Sequence, residues 1–348
     1  MKMKIRFISI ILIGICLLSG FVFSGQIHGQ EITAYLATTP PIVEGFAKLV
    51  KEKINVDIKW RFLSCGAINA KLKAEAPNFE ADMGIFVCIP ETFMAKKEKW
   101  LVSYDSPAWK KVPRKWGLMR PETFMEPDNL WYNTNVYGFV LVANKDLIAK
   151  KGYKVPESWD DLLDPKWKGQ IVMPSPLSSG TAFQMLYTFI TQYGLNAGKG
   201  EEGGWKFMSA LDKNIHHYTE HGGTPTELVG RGEFMLGITT DQNVLMVQKQ
   251  GYPLQAKVPK EGIGYEGIYA FILKGTKNLT TCQKVIDFLA SDMFCKYMAD
   301  IGYVTRMPEY PSALYGEIPK YVPNVDHVWA VGNKGRLLNE WKNNFLRK

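Results

Sequence analysis

The chain has 348 residues, 46% of them apolar and 22% charged, with a formal net charge of +8. Its basic residues are interleaved with acids and form only short clusters such as Lys96, Lys97 and Lys99, which excludes the extended basic stripe of a nucleic-acid binder and leaves a mild attraction for anionic solutes. No low-complexity segment or solenoid-period repeat occurs, and the length exceeds one comfortable core, so two lobes are expected.

Residues 1–24 read as a secretory signal. Lys2, Lys4 and Arg6 precede an apolar run from Phe7 to Phe23, and the small residues Ser24 and Gly25 follow. No second apolar stretch of about 18 residues occurs, so the segment is not read as a membrane span. Cleavage after Ser24 would export a chain of net charge +5, because three of the positive charges lie in the leader. The other expectation for this segment is a lipid anchor at Cys16, although Ile15 stands where a small residue is usually wanted.

From Glu31 onward, short apolar strands alternate with helices. "ITAYLATT" reads as a strand, Pro41 to Lys53 as a helix, Val56 to Phe62 as a strand and Ala67 to Glu75 as a helix. Met83 to Val87 then reads as a strand and Pro90 to Lys99 as a helix. This rhythm specifies a parallel sheet covered on both faces, with its ligand edge where the strands end. Thr38, Thr39, Cys65, Gly66 and Cys88 fall at that edge. Cys65 and Cys88 each end a strand, and adjacent parallel strands would bring them together as a bridge or as separate buried thiols. For Cys282 and Cys295 a bridge is likewise left open.

After a proline-rich passage, "YGFVLVANKDL" reads as a crossover strand. A second set of elements follows: the strand Ile171 to Met173, the helices Thr181 to Tyr193 and Gly203 to Leu211, and the strand Ile215 to Thr219. It continues with the helix Pro225 to Gly230, the strand Phe234 to Thr239 and the helix Asn243 to Lys249. "YEGIYAFILKGTKN" reads as a return crossover, after which the helix Thr280 to Ala290 rejoins the first lobe. Trp60, Tyr132, Trp167 and Tyr265 read as packing aromatics.

Two places in the second set combine a strand end with small hydroxyl and glycine residues that open a helix. These are Ser178, Ser179, Gly180 and Thr181, and His221, Gly222, Gly223 and Thr224. The first backbone N–H groups of a helix have no partner within it and carry a partial positive charge, so two such starts facing one cleft would hold an anion. Thr224 to Glu227 also spells a capping box with Pro225 at the first helical position, so Thr224 has a second role open to it. Thr240 and Asp241, just past a strand, are candidates to hydrogen-bond a ligand or to cap the next helix. Thr38 and Thr39 could offer only hydroxyls, because Pro40 and Pro41 lack N–H groups.

His217, Glu220 and His221 spell H-x-x-E-H, an inverted zinc-protease signature. That chemistry needs a helix, whereas "NIHHYTEHGG" reads as a strand stopped by two glycines. On a strand the two histidines stand about 13 Å apart, too far for one metal. No nucleophile elbow, phosphate-binding loop or dinucleotide fingerprint occurs where a strand would need it.

The runs "DPKWKGQIVMPSPLSSGTAF", "GGTPTELVGRGEFMLGITTDQN" and "VPKEGIGYEGIYAFILKGTKN" resemble, over the whole expected mature chain, the periplasmic solute-binding proteins of ATP-driven (ABC) importers, in the branch for ferric iron, phosphonates and sugar phosphates. The resemblance implies an α/β protein of the two-lobed type II periplasmic-binding-protein fold. Each lobe would hold a mixed, mostly parallel sheet flanked by helices, and two crossover strands would join them. The first lobe would be residues 25–137 plus 264–305 and the second 138–263 plus 306–348. It further implies a monomer that hands a small anionic solute to a membrane permease, with no enzymatic activity and no cofactor. Ferric members hold iron with adjacent tyrosines after the strand matching "MLGIT". This chain has Asp241, Gln242 and Asn243 there, so a phosphate ester or phosphonate is expected and ferric iron is the alternative.

Overall fold

The computed structural model describes residues 30–38, 40–112, 126–305, 307, 309, 310, 314 and 320–346; the expected leader with Cys16, and also Thr39, lie outside them. The first third runs β1 (Gln30–Leu36), α1 (Pro40–Ile54), β2 (Val56–Phe62), α2 (Cys65–Glu75), β3 (Met83–Cys88) and α3 (Ile89–Lys97), followed by a two-residue strand β4 (Leu101–Val102). Helix α1 buries Ile42, Val43, Phe46 and Val50, the three- and four-residue spacing that gives a helix one apolar face. β1 lies between β2 and β3 and pairs in parallel with both.

The second region contains β5 (Tyr132–Asn144), α4 (Lys145–Lys150), β6 (Ile171–Pro174), α5 (Gly180–Ile190), α6 (Gly200–Asp212) and β7 (Ile215–Thr219). It continues through α7 (Thr224–Gly230), β8 (Leu236–Thr240), α8 (Asp241–Gln248) and β9 (Leu254–Lys257). β10 (Tyr265–Leu273) then leads to α9 (Leu279–Leu289), α10 (Asp292–Asp300), α11 (His327–Gly332) and α12 (Lys334–Phe345).

The strands form a mixed sheet in the order β2-β1-β3-β10-β5-β8-β6-β7, with β4 beside β10 and β9 beside β5. β5 joins its two halves: Tyr132 to Gly138 pair with β10, and Phe139 to Ala143 pair with β8. All nine residues of β10 are buried, as a strand covered on both faces requires. The first half is packed from both sides. One core contains Phe46, Phe86, Ile286 and Phe294, and the other contains Ile68, Trp131 and Phe271. The second half has a larger core that includes Trp159, Trp167, Phe183, Tyr265 and Trp341, the last contributed by α12.

Because β1, β2 and β3 run parallel, their ends all point to the side where α1, α2 and α3 begin. β6 is parallel to both β7 and β8, so the starts of α5, α7 and α8 gather in the same way. This is the geometry in which open α/β sheets place ligands.

Candidate ligand-binding site

The helix starts of the two halves face one another across a cleft with two connected chambers. One chamber, about 300 Å³, is lined by Thr38 and Tyr303 on one side and by Gly222, Gly223, Thr240, Gln242 and Asn243 on the other. Every side chain lining it is uncharged. The second chamber, about 390 Å³, is lined by Cys65, Gly66 and Glu91 from the first half, by Ser178, Ser179 and Gly180 from the second, and by Glu266 and Lys334. Cys88, Tyr137 and Thr181 line both chambers and form the neck between them.

At the neck the start of α5 meets the Gly222–Gly223 turn. A Cβ on Gly222 would lie 3.2 Å from Ser179 Oγ and 3.3 Å from Thr181 Oγ1, and one on Gly223 would lie 3.4 Å from the Asn243 amide. Gly223 has φ −86°, an ordinary value, so glycine is needed here for close approach and not for a left-handed backbone. The turn is pinned from below, where Thr239 Oγ1 donates to the Gly222 carbonyl (3.1 Å) and itself accepts from Thr226 Oγ1 (2.8 Å). Among the described residues the Gly222 and Gly223 N–H groups have no partner, and those of Gly180 and Thr181 have none within α5, whose first turn they form. Four amide groups and two hydroxyls therefore border the neck, Ser179 and Gly180 on one side, Gly222 and Gly223 on the other and Thr181 on both.

The hydroxyls divide their work: Ser179 faces Ala182 as its place before the helix predicts, whereas Ser178 faces Glu220 and not Thr181. Ser179 is the N-cap of α5, and its Oγ accepts from the Ala182 N–H at 3.3 Å. A cap uses an oxygen lone pair, so the hydroxyl proton remains free to donate to a ligand. Ser178 has already donated its proton, to the Glu220 carbonyl at 2.8 Å. Thr181 donates to the Tyr137 hydroxyl, whose own proton goes to Glu266, so its proton must turn from Tyr137 to reach a ligand. In the first half, Thr38 Oγ1 stands 3.4 Å from the Tyr303 hydroxyl, and Ser64 caps α2 so that Cys65 and Gly66 open its first turn into the cleft.

Several expectations are corrected by this arrangement. Thr224 is the first residue of α7 and not its cap; Gly223 is the N-cap and no side-chain cap bond forms, so the capping box is not built. α7 has only seven residues, too few for a strong macrodipole, and its turn acts through amide donors. Thr224 and His221 line neither chamber, and the His221 ring is exposed. Asp241 is fully buried at 0% exposure. It accepts from the Gly138 N–H (2.9 Å) and from its own neighbour Gln242 (2.7 Å), tying α8 to the crossover strand instead of lining the cleft. β2 and β3 are not adjacent as expected, because β1 separates them. Cys65 and Cys88 nevertheless form a disulfide over the end of β1, with Cα atoms 6.0 Å apart. Cys282 and Cys295 are buried thiols and are not bridged to each other.

The metalloprotease geometry is absent. His217 lies on β7 with Glu220 and His221 in the turn after it, and its Nδ1 contacts that of His216 at 2.8 Å. Among the described residues, the group of donor atoms close enough to share an ion is Cys65, Cys88 and Glu91, two of which are bonded to each other.

Several chamber residues, Glu91, Glu266 and Tyr137 among them, were not picked out from the sequence. Glu91, 5% exposed, has a buried Oε2 without a hydrogen-bond partner, and burial pushes its carboxyl above the usual range. Glu266, 2% exposed, accepts hydrogen bonds from the Tyr137 hydroxyl and from Gln184. Burial pushes it up to about 7; the two hydrogen bonds and Lys334 oppose the rise, and the Glu91 charge adds to it. Burial and the neighbouring Glu266 raise the Tyr137 hydroxyl well above its ordinary value. A glutamate inside the otherwise apolar run "YEGIYAFIL" was the available signal for Glu266. Glu91 offered none, since an acid in the first turn of a helix is ordinary.

Residues 81–326 match the family of bacterial extracellular solute-binding proteins. The chain belongs to that family. This solute-binding protein is 29% identical over 295 residues to an uncharacterized protein of Haemophilus influenzae, covering 83% of this chain and 81% of the relative. It is similar to the periplasmic binding protein AfuA from Actinobacillus pleuropneumoniae with exogenous fructose-6-phosphate bound (TM-score 0.77, 27% identity, 92% of this chain and 99% of AfuA). Iron-bound HitA from Pseudomonas aeruginosa has a TM-score of 0.74, covering 90% of this chain and 99% of HitA. At 17% identity that likeness is one of fold. The solute-binding protein thus has the two-lobed fold and serves an ABC importer.

Proposed function

We propose that the cleft captures a phosphate ester or phosphonate and presents it, as a monomer, to a membrane permease. The observation that carries this reading is the convergence at the neck of the Gly180, Thr181, Gly222 and Gly223 amides with the Ser179 and Thr181 hydroxyls. A tetrahedral oxyanion presents several acceptor oxygens and fits such a set of donors, whose hydrogen bonds strengthen where water is excluded. AfuA, at 27% identity, was found with a sugar phosphate, which supports the same class. Ferric iron is disfavoured because Asp241, where the ferric pattern places tyrosine, is engaged with the Gly138 and Gln242 amides.

In this reading the second lobe (138–263 plus 306–348) supplies Ser179, Gly180, Thr181, Gly222, Gly223 and Thr240. The first lobe (25–137 plus 264–305) closes over the ligand with Thr38, Cys65 and Gly66. Calorimetric titration with fructose 6-phosphate, 2-hydroxyethyl phosphate, inorganic phosphate and ferric citrate tests it. At least one phosphate monoester should bind and ferric citrate should not; binding of iron alone would overturn the assignment.

A further inference from the structure

The two chambers differ in charge, and the difference implies a ligand with two unlike ends. The chamber lined by Thr38, Gly222 and Gln242 contains no carboxyl and no basic side chain, whereas the chamber beyond Thr181 holds two buried carboxyls, Glu91 and Glu266. We propose that the Glu91–Glu266 chamber is a subsite for a protonated amine, so that the ligand is an aminoalkyl phosphate or phosphonate. This rests on the oxyanion reading above and extends it.

The carboxyls lie where an anionic ligand would least want them unless its other end is cationic. Glu91 Oε2 is buried, lines the chamber and has no partner, so its lone pairs await a donor. Glu266 already accepts from Tyr137 and Gln184, and Glu91 and Glu266 raise the energy of each other's charge. Lys334 relieves them only in part: its charge favours both ionised carboxyls, but its Nζ sits over the Phe183 ring, 5.4 Å from the ring centre, and among the described residues it forms no ion pair with either glutamate. A hydroxyl would satisfy the open acceptor but bring no positive charge to two buried carboxyls. An ammonium does both, with three donors and a charge of the missing sign. Tyr187 of α5 and Tyr269 of Glu266's own strand feel the Glu266 charge and bring no positive charge themselves. The neck places the amine end close to the oxyanion end, within the reach of a short linker, because Tyr137 and Thr181 belong to both chambers.

The test compares phosphoethanolamine with 2-hydroxyethyl phosphate, which differ only in ammonium against hydroxyl. At pH 7.5 the amine should bind at least about tenfold more tightly, the scale of one charge-assisted contact. That preference should shrink at pH 5.5 as the carboxyls are protonated, once each affinity is corrected for the probe's own phosphate titration, which the ammonium of phosphoethanolamine lowers. E91Q and E266Q should each bring the ratio towards one, with thermal unfolding of both variants confirming that they are folded. Equal affinities at pH 7.5, or a ratio unchanged in both variants, would overturn the amine subsite while leaving the oxyanion reading intact. Binding of neither phosphate would overturn both.

Discussion

Thr181→Ala and Ser179→Ala form a pair that separates ligand binding from helix capping. Both hydroxyls lie within 3.3 Å of a Cβ built on Gly222, so both face the same point of the neck, but only Ser179 caps α5. A hydroxyl donating to a charged oxygen is worth about 1.5–3 kcal/mol, so either substitution should weaken phosphate-ester binding about ten- to hundredfold. Stability should respond differently. Removing the Ser179 cap should cost about 0.5–2 kcal/mol, whereas Thr181→Ala loses only a bond shared with Tyr137, about 1 kcal/mol or less because the Thr181 N–H remains where it was. Calorimetry measures the affinities and urea unfolding the stabilities. If Thr181→Ala binds within twofold of the parent, the oxyanion does not sit at the neck and the assignment of the donors is wrong.

Gly222→Val should abolish phosphate-ester binding while the protein remains folded, because its Cβ alone would lie 3.2–3.3 Å from the Ser179 and Thr181 hydroxyls and its methyl groups would add to the obstruction; titration calorimetry and circular dichroism together check this. Cys65→Ser removes a bridge spanning 23 residues and should lower unfolding stability by about 2–4 kcal/mol in urea, an effect that dithiothreitol should reproduce in the parent. Asp241→Ala leaves the buried Gly138 N–H unpaired and should destabilise the fold by about 1–3 kcal/mol; an equal loss of affinity without loss of stability would instead make Asp241 a ligand residue. Glu266 is raised from 4.5 to about 7 in the folded state, so the native protein binds the extra proton and stability falls as pH rises between those values. Glu266→Gln should therefore stabilise the protein by up to about 3 kcal/mol at pH 8 and by much less at pH 4.5, as read from unfolding midpoints at the two pH values.

The strand–helix rhythm was legible because β2 and β7 coincide with runs bounded by turn residues and because α1 and α5 carry their apolar faces openly. The last helix was legible too, since Leu337, Trp341 and Phe345 repeat every four residues, yet it was not read from the sequence. The donor cluster was legible as hydroxyl and glycine runs after strands. The allocation of individual protons was not, because it depends on which carbonyl lies 2.8 Å from Ser178 and which amide faces Ser179. The disulfide depended on sheet order: Cys65 and Cys88 meet over β1, and no local pattern states that β1 is central. The acid chamber was hidden for a similar reason. Glu91 and Glu266 are 175 positions apart in the chain and become neighbours only when β10 inserts beside β3.

The crossover strands do more than connect the halves, because they carry part of the cleft wall. Tyr137 on β5 hydrogen-bonds Glu266 on β10, and these two residues form a register pair within the antiparallel ladder that joins the strands. The next residue, Gly138, gives its N–H to Asp241 at the start of α8, and the space a Cβ would need there is filled by Ile263, 2.3 Å away. Any rotation of one half against the other must turn these strands about their shared ladder, and so must move the neck that Tyr137 and Thr181 define. A ligand held by Gly222 on one side and Thr38 on the other gains its full set of contacts in only one such arrangement. Its differential affinity for that arrangement is the free energy available to hold the lobes together. Substitutions at the Tyr137–Glu266 pair should therefore change affinity and the free lobe equilibrium together, whereas Ser179→Ala, whose bond to Ala182 stays within the second lobe, should leave the lobe equilibrium unchanged. Small-angle scattering of each variant with and without 2-hydroxyethyl phosphate distinguishes the two behaviours, and a Tyr137→Phe variant whose ligand-free scattering matches the parent would refute the coupling.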